Sequence, residues 1–276
     1  MKKVTILLFH NIRAKNSDHI FKYLTNKYNI IKLSKFIKAI ENCNEKILPP
    51  KALIITFDDG HKGNYYLLPI LKKYNIPITI FLCSEIIGTN RHFWFRSKNP
   101  KIHQNLKNIS NSKRLSNLRE FGFEQTKEFS SRQALSYDEI DEMKGVVDFQ
   151  SHTMFHPCLP QCTYSKAKEE IFKSKDKLEN ELGLNITTIS YPNGDYSNRD
   201  IQLCKMAGYK CGITVDYGFN TINTPPFRLK RLSVNDTENL DELIVKSSGV
   251  WMGLLKVLKK IPIMGSQKIQ LIKYIL

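Results

Sequence analysis

The sequence predicts an α/β protein whose strands run parallel in a barrel-like sheet. Short apolar runs alternate with longer stretches of helical period, which is the pattern of β/α units. The 276 residues exceed a typical single domain, yet α/β barrels of this size form one unit. Hydrophobic residues make up 41% of the chain, enough for a sizeable core, and no short-period solenoid repeat is evident.

The elements follow in order. Val4 to Phe9 is an uninterrupted apolar run and reads as the first strand. Ile20 to Tyr28 and Phe36 to Glu41 read as helices, and Ala52-Leu53-Ile54-Ile55 as a buried strand. Asn64 to Tyr74 reads as a helix and Ile78 to Cys83 as a strand. Val146 to Phe149 is a short strand running into a loop, followed by a long helix over Ser165 to Leu182 with Ile171, Leu178 and Leu182 on its apolar face. Ile186 to Tyr191 is a strand, Asp200 to Ala207 a helix and Cys211 to Val215 a strand. Phe227 to Val234 is a last strand with cationic side chains. Thr89 to about Ser136 breaks the rhythm. It is rich in Lys, Arg, Asn and Ser and reads as an insertion between barrel units, above their rim. Its Phe93-Trp94-Phe95 either stacks on a sugar ring or anchors the insertion to the core, and anchoring is the more ordinary use.

Two motifs carry chemistry. Thr56-Phe57-Asp58-Asp59-Gly60 places adjacent carboxylates where a strand ends. Successive strand side chains point to opposite faces, so a regular strand cannot aim both at one spot, and the break at Gly60 relaxes that limit. Neighbouring anions repel, and a divalent cation is the usual compensation. An Asx turn after a strand gives the same string. Ser151-His152-Thr153-Met154-Phe155-His156-Pro157 supplies two imidazoles four residues apart, which on a helical turn share one face and grip one metal. Two capping or solvated histidines are the ordinary alternative. Both motifs follow strands, and strand ends are where such folds build their sites.

Taken together, these motifs resemble those of the polysaccharide deacetylases (carbohydrate esterase family four, the NodB homology domain). Thr56 to Gly60 is similar to that family's first motif, Ser151 to Pro157 to its second, and Ser190-Tyr191-Pro192-Asn193-Gly194 to its third. The resemblance runs from about Val4 to about Val234. It implies a distorted (β/α) barrel of about seven parallel strands. It further implies that Asp59, His152 and His156 hold a divalent metal, usually zinc, with cobalt, nickel or manganese as alternatives. Asp58 is then the general base that deprotonates the attacking water, and the Asn193 backbone N–H, beside Tyr191, helps to hold the oxyanion. The chemistry is sound independently of the family. An amide resists neutral water, a three-ligand metal leaves one position open, and a nearby carboxylate takes the proton.

The general acid departs from the commonest arrangement, a His in a Leu-x-His motif near the C-terminus, because no His follows His156. A subgroup of the family instead uses an aromatic-His pair ending its first strand. Phe9-His10 is similar to it, so His10 is assigned as the acid, with local capping as the competing reading. The position that often holds an Arg against the base is Ser190, which leaves Asp58 without that partner. Arg231, in a stretch similar to the subgroup's closing Leu-x-Arg-x-x-Val, is the candidate replacement. A solvated cationic strand edge is the alternative.

The six cysteines are scattered and suggest neither a disulfide scaffold nor a structural zinc, and free thiols fit a reducing compartment. Met1-Lys2-Lys3 has the charge of a signal peptide, but its apolar run is too short. A cytoplasmic protein is the expectation. Net charge is +16, and after Glu242 there is no acidic residue while Lys246, Lys256, Lys259, Lys260, Lys268 and Lys273 remain among apolar residues. The sequence divides into a catalytic domain over 1–245 and a basic amphipathic tail over 246–276, which either packs on the barrel or lies on an anionic membrane at its inner face. An N-acetylated sugar is the expected partner, and nucleic acid is not, since charge alone points to it. The leading function is metal-dependent N-deacetylation of an amino sugar in a polysaccharide or in its lipid- or nucleotide-linked precursor. Deformylation or removal of another acyl group, and non-catalytic glycan or membrane binding, are the alternatives.

Overall fold

A computed structural model describes residues 1–96, 105–234 and 236–249. Eight parallel strands are present: β1 (Val4–Phe9), β2 (Asn29–Ile30), β3 (Ala52–Phe57), β4 (Ile78–Leu82), β5 (Val147–Ser151), β6 (Thr188–Ser190), β7 (Cys211–Tyr217) and β8 (Leu229–Ser233). Their order is β1-β8-β7-β6-β5-β4-β3, and a β1–β3 pairing closes the ring at seven strands, with two-residue β2 added beside β3. This is the parallel barrel that the sequence predicts.

Around the ring lie helices α1 (Asp18–Lys27), α2 (Leu33–Glu41), α3 (Leu68–Tyr74), α4 (Asn111–Arg119), α5 (Tyr137–Met143), α6 (Tyr164–Leu182), α7 (Asn198–Met206) and α8 (Leu240–Ser247). All six residues of β1 and all six of β3 are buried, as expected for strands covered on both faces. Alternate positions serve different layers. Leu7, Phe9, Ile55 and Phe57 join the core shared with α1, α3 and α6, whereas Val4, Ile6 and Ile54 join Phe81, Ile213 and Leu229 in a second core with Leu33, Phe36 and Ile37 of α2. Along the inward-facing positions of β3 the chemistry changes from Ala52 and Ile54 to Thr56 and then Asp58. The barrel is thus oily at its N-terminal end and polar at the rim.

Several elements differ from the sequence reading. The stretch Asn64–Tyr74 begins as a 3-10 turn (Lys62–Leu67), and only the part with Pro69 in its first turn is α-helical. Residues 226–228 form another 3-10 turn, so β8 starts at Leu229. The helix α8 runs across the 245/246 boundary. Lys246, counted with the basic tail, is buried and bonded to Glu242. The remaining tail, 250–276, lies outside the described residues. In the insertion, Phe93 and Trp94 are buried, the latter in a satellite core with Leu106, Leu118 and Cys158, so these two rings act as anchors. Phe95 is half-buried, with its ring 4.7 Å from that of His156. Among the described residues no helix is long and apolar enough to cross a membrane.

Candidate metal centre and active site

The site forms where β1, β3, β5, β6 and β8 deliver their C-terminal ends to one rim. Register puts Phe9 opposite Phe57, and the Asp58 amide donates to the Phe9 carbonyl at 3.0 Å, so His10 and Asp58 leave the barrel at the same level. The strand alternation then breaks. Asp59 adopts φ 73° and Gly60 φ 72°, two successive left-handed residues, which lets adjacent carboxylates reach one region. At Gly60 a side chain is excluded, since a Cβ there would stand 2.7 Å from Leu82 Cδ2. At Asp59 the same conformation carries strain of about 1–3 kcal/mol.

Asp58 is clamped. Arg231 donates Nη1–H to Oδ1 and Nη2–H to Oδ2, both at 2.7 Å, in the two-pronged geometry of strong guanidinium–carboxylate pairs. Ser190 donates its hydroxyl to Oδ2 at 3.1 Å and accepts from Arg231 Nη2 at 3.0 Å. Arg231 is 1% exposed, so it is not a solvated strand edge; its Nε–H reaches the Thr214 carbonyl at 2.9 Å. Burial pushes Asp58 up, but Arg231, His152 and His10 outweigh it and hold the carboxylate below its ordinary range. The serine in the third motif thus leaves room for a guanidinium arriving from β8.

Asp59 has different company. His61 Nε2 lies 3.0 Å from its Oδ2, while Nε2 of His152 and Nε2 of His156 each lie 3.4 Å from Oδ1. Oδ1 has no hydrogen-bond partner although it is buried. Burial again pushes the carboxylate up and is overcome by His152, His61 and His156, which hold it well below its usual range.

The histidine motif is not helical. Residues 152–158 form a loop, with Thr153 at φ 67° and His156 at φ 57°. The loop is held by side-chain oxygens. Glu170 of α6 accepts from the amides of Met154 (3.0 Å) and Phe155 (2.9 Å), Thr153 Oγ1 accepts from His156 N, and Ser151 Oγ accepts from Thr153 N. Lys166 pairs with the other Glu170 oxygen at 3.1 Å. Trp94 donates to the His156 carbonyl at 2.7 Å. His152 Nδ1–H donates to the Ser190 carbonyl at 2.8 Å, which turns its Nε2 towards Asp59. Burial lowers the pKa of this ring, but Asp58 and Asp59 outweigh it and raise it, and a bound cation would take the place of the Nε2 proton. Burial lowers the His156 pKa to about 3, so this ring is neutral, as a metal ligand must be.

The donor atoms of Asp59, His152 and His156 lie within 4.8 Å of one another. One carboxylate oxygen and two imidazole nitrogens, with Asp59 Oδ1 buried and unpartnered, fit a three-ligand catalytic metal.

The other sequence candidates fall as follows. His10 stands at the rim with its ring 41% exposed and close enough to depress Asp58; its amide donates to Asp236 Oδ1 at 2.6 Å and its Nδ1 lies 3.9 Å from Asp236 Oδ2. Asn193 takes φ 56° in the turn after β6, and its Nδ2–H reaches Cys158 Sγ at 3.5 Å. The Tyr191 hydroxyl is not brought to the cluster. It is buried against Gly212 and donates to the Phe227 carbonyl at 3.2 Å. Sequence reasoning missed His61, Glu170 and Asp236. The signal for His61 was its place two residues after Asp59; Glu170, amid the charges of a long helix, gave none.

A parallel barrel with a paired carboxylate and an Asp-His-His cluster on its C-terminal rim defines a hydrolase of the metal-assisted type. The polysaccharide deacetylase family description matches residues 45–212, and the chain belongs to that family, whose members hydrolyse carbon–nitrogen bonds. It is 26% identical over 251 residues to YxkH of Bacillus subtilis, a protein of the same description, covering 84% of this chain and 72% of that one. It is 26% identical to the poly-beta-1,6-N-acetyl-D-glucosamine N-deacetylase of Staphylococcus epidermidis over 79% of this chain, and spans 63% of that relative's length. Among solved structures, the deacetylase PplD of Streptococcus pyogenes superposes with a TM-score of 0.66 at 22% identity over 89% of this chain and 98% of that one. IcaB of Ammonifex degensii gives 0.63 at 16% identity, with the same coverages. These likenesses place the fold.

Proposed function

We propose that the chain removes the N-acetyl group from an N-acetylhexosamine unit of a polysaccharide, with zinc as the resident ion. A divalent cation held by Asp59, His152 and His156 would lower the pKa of the attacking water and polarise the amide carbonyl. Asp58 takes one proton from that water as its oxygen bonds to the carbonyl carbon. The Arg231 and Ser190 clamp keeps the carboxylate ionised and aimed. The Asn193 N–H supports the developing oxyanion. His10 gives a proton to the amide nitrogen as the C–N bond breaks, and acetate and a free amine leave. His10 sits beside Asp236, which is placed to orient its ring.

The observation that carries this reading is the pairing of a clamped carboxylate with a neighbouring one that has a bare oxygen among imidazoles. The N-acetylglucosamine polymer is chosen because the staphylococcal relatives are named for it. Acetate release from poly-β-1,6-N-acetylglucosamine and from chitin oligomers, after loading with zinc, tests the proposal. Release that is lost in Asp58→Asn supports it, and no release from either substrate by the fully loaded protein would refute it. Peripheral contact with an anionic membrane at the inner face is proposed for residues 250–276, from their lysines and apolar residues alone. Deletion after Gly249 should abolish binding to anionic liposomes, and unchanged binding would remove that part.

A further inference from the structure

We infer that His61 is a positioning residue for the metal ligand Asp59: it donates Nε2–H to Asp59 Oδ2 and so reserves Oδ1 as the ligating oxygen. The inference rests on the metal reading above and adds a residue to it.

Three observations carry it. The first is the contact itself, 3.0 Å between side chains that are each 3% exposed. A carboxylate can only accept there, so the facing nitrogen carries the hydrogen. The Arg96 guanidinium, on an exposed side chain, also approaches this nitrogen, at 3.5 Å, and could only donate to it; the shorter, buried carboxylate contact is the one that sets the tautomer. The second is the division of labour on Asp59. One oxygen faces His61 Nε2 at 3.0 Å, while the oxygen that faces His152 and His156 is buried without a hydrogen-bond partner. The third is that His61 is itself fixed. It bridges to Ala134, flanked by Lys62 N–H to the Gln133 carbonyl and Leu135 N–H to the Gly60 carbonyl, both 2.9 Å. The edge of Phe93 or of its own ring meets the other at 5.0 Å between centroids. The end of the insertion therefore holds His61, and His61 holds Asp59.

Partners of this kind orient a ligand, and removing one typically costs about 10–100-fold in metal affinity. The test is zinc affinity by chelator competition, on the purified full chain, with His152→Ala as the ligand-loss control. His61→Phe keeps the ring against Phe93 but has no N–H. It should weaken zinc binding about 10–100-fold while the metal-free protein still melts cooperatively. His61→Gln, whose amide reaches where Nε2 sits, should recover most of the affinity; His61→Asn, whose amide sits where Nδ1 is, should not. Wild-type affinity in folded His61→Phe would overturn the inference and leave the metal reading intact. Equal affinities in His61→Gln and His61→Asn would also overturn it, and they decide the matter should His61→Phe not fold. Wild-type protein that binds no zinc, with or without His152→Ala, would sink the metal reading itself and this inference with it.

Discussion

Asp58 and Asp59 are consecutive, equally buried and chemically identical, yet they live in opposite environments. Asp58 is saturated: two guanidinium N–H groups and a serine hydroxyl occupy its oxygens. Asp59 has His61 Nε2 3.0 Å from one oxygen and two further imidazole nitrogens, at 3.4 Å, around the other, which has no hydrogen-bond partner. The difference comes from which strand end each one meets, β8 and β6 for Asp58, the β5 loop and the His61 turn for Asp59. A saturated carboxylate is a fixed charge with a reserved task, whereas one with a bare oxygen asks for a cation. Role is assigned by neighbours, and the sequence order Asp-Asp alone does not assign it.

The sharpest way to break this contrast is to remove the clamp. Arg231→Met leaves a buried carboxylate unpaired and should cost about 3–5 kcal/mol in stability, read by denaturant unfolding. The sign of the accompanying pH effect is fixed. Arg231 depresses the Asp58 pKa, so that stabilisation is present above the ordinary carboxylate pKa and is lost as pH falls through the depressed value. In the folded fraction of Arg231→Met the carboxylate rises towards or above its ordinary range, so the acidic limb of acetate release moves to higher pH. A limb that stays put would mean that Asp58 is not the base.

Asp58→Asn should then reduce turnover about 10²–10⁴-fold while zinc affinity changes little. Asp59→Asn should lose the metal, and with it the rise in melting temperature that zinc gives, which corresponds to about 2.7 kcal/mol at a hundredfold excess over Kd. If both substitutions lost metal equally, the two carboxylates would not be functionally distinct. His10→Ala probes the rim alone: turnover should fall about 10²-fold or more with metal content unchanged, measured on the same preparations. The smallest effect is expected at Glu170→Gln, which keeps one oxygen to accept both loop amides but loses the charge that faces Lys166, leaving Lys166 with Glu169 alone. A loss of about 1–2 kcal/mol is expected by thermal melting, with zinc affinity slightly reduced through the loosened His152–His156 loop. No change in either quantity would mean the loop holds its shape without α6.

The sequence showed the barrel because both faces of β1 and β3 are covered and their residues read as apolar runs. Asp58, Asp59, His152 and His156 were legible as motifs, but the geometry joining the two histidines was not. A helical turn was the natural expectation for a four-residue spacing, and the loop that replaces it depends on Glu170, eighteen residues downstream of His152. The partners of Asp58 were half-legible. Ser190 looked like a missing arginine, and only the placement of β8 beside β1 shows how Arg231 comes from 173 residues away to meet Asp58. Tyr191 illustrates the reverse: strand alternation turns its ring away from the site just as it turns Ser190 towards it.

The ring closes between the first strand and the last, with β1 paired to β3 on one side and β8 on the other. Its chemistry is therefore distributed over almost the whole span of the described chain, from His10 to Arg231. A nascent chain emerging from the ribosome presents His10 first, the two carboxylates next and the imidazole pair later. The guanidinium that clamps Asp58 arrives last of these groups. Until β8 pairs with β1, the barrel has an open seam and Asp58 lacks its clamp, so the geometry of this carboxylate is tied to ring closure.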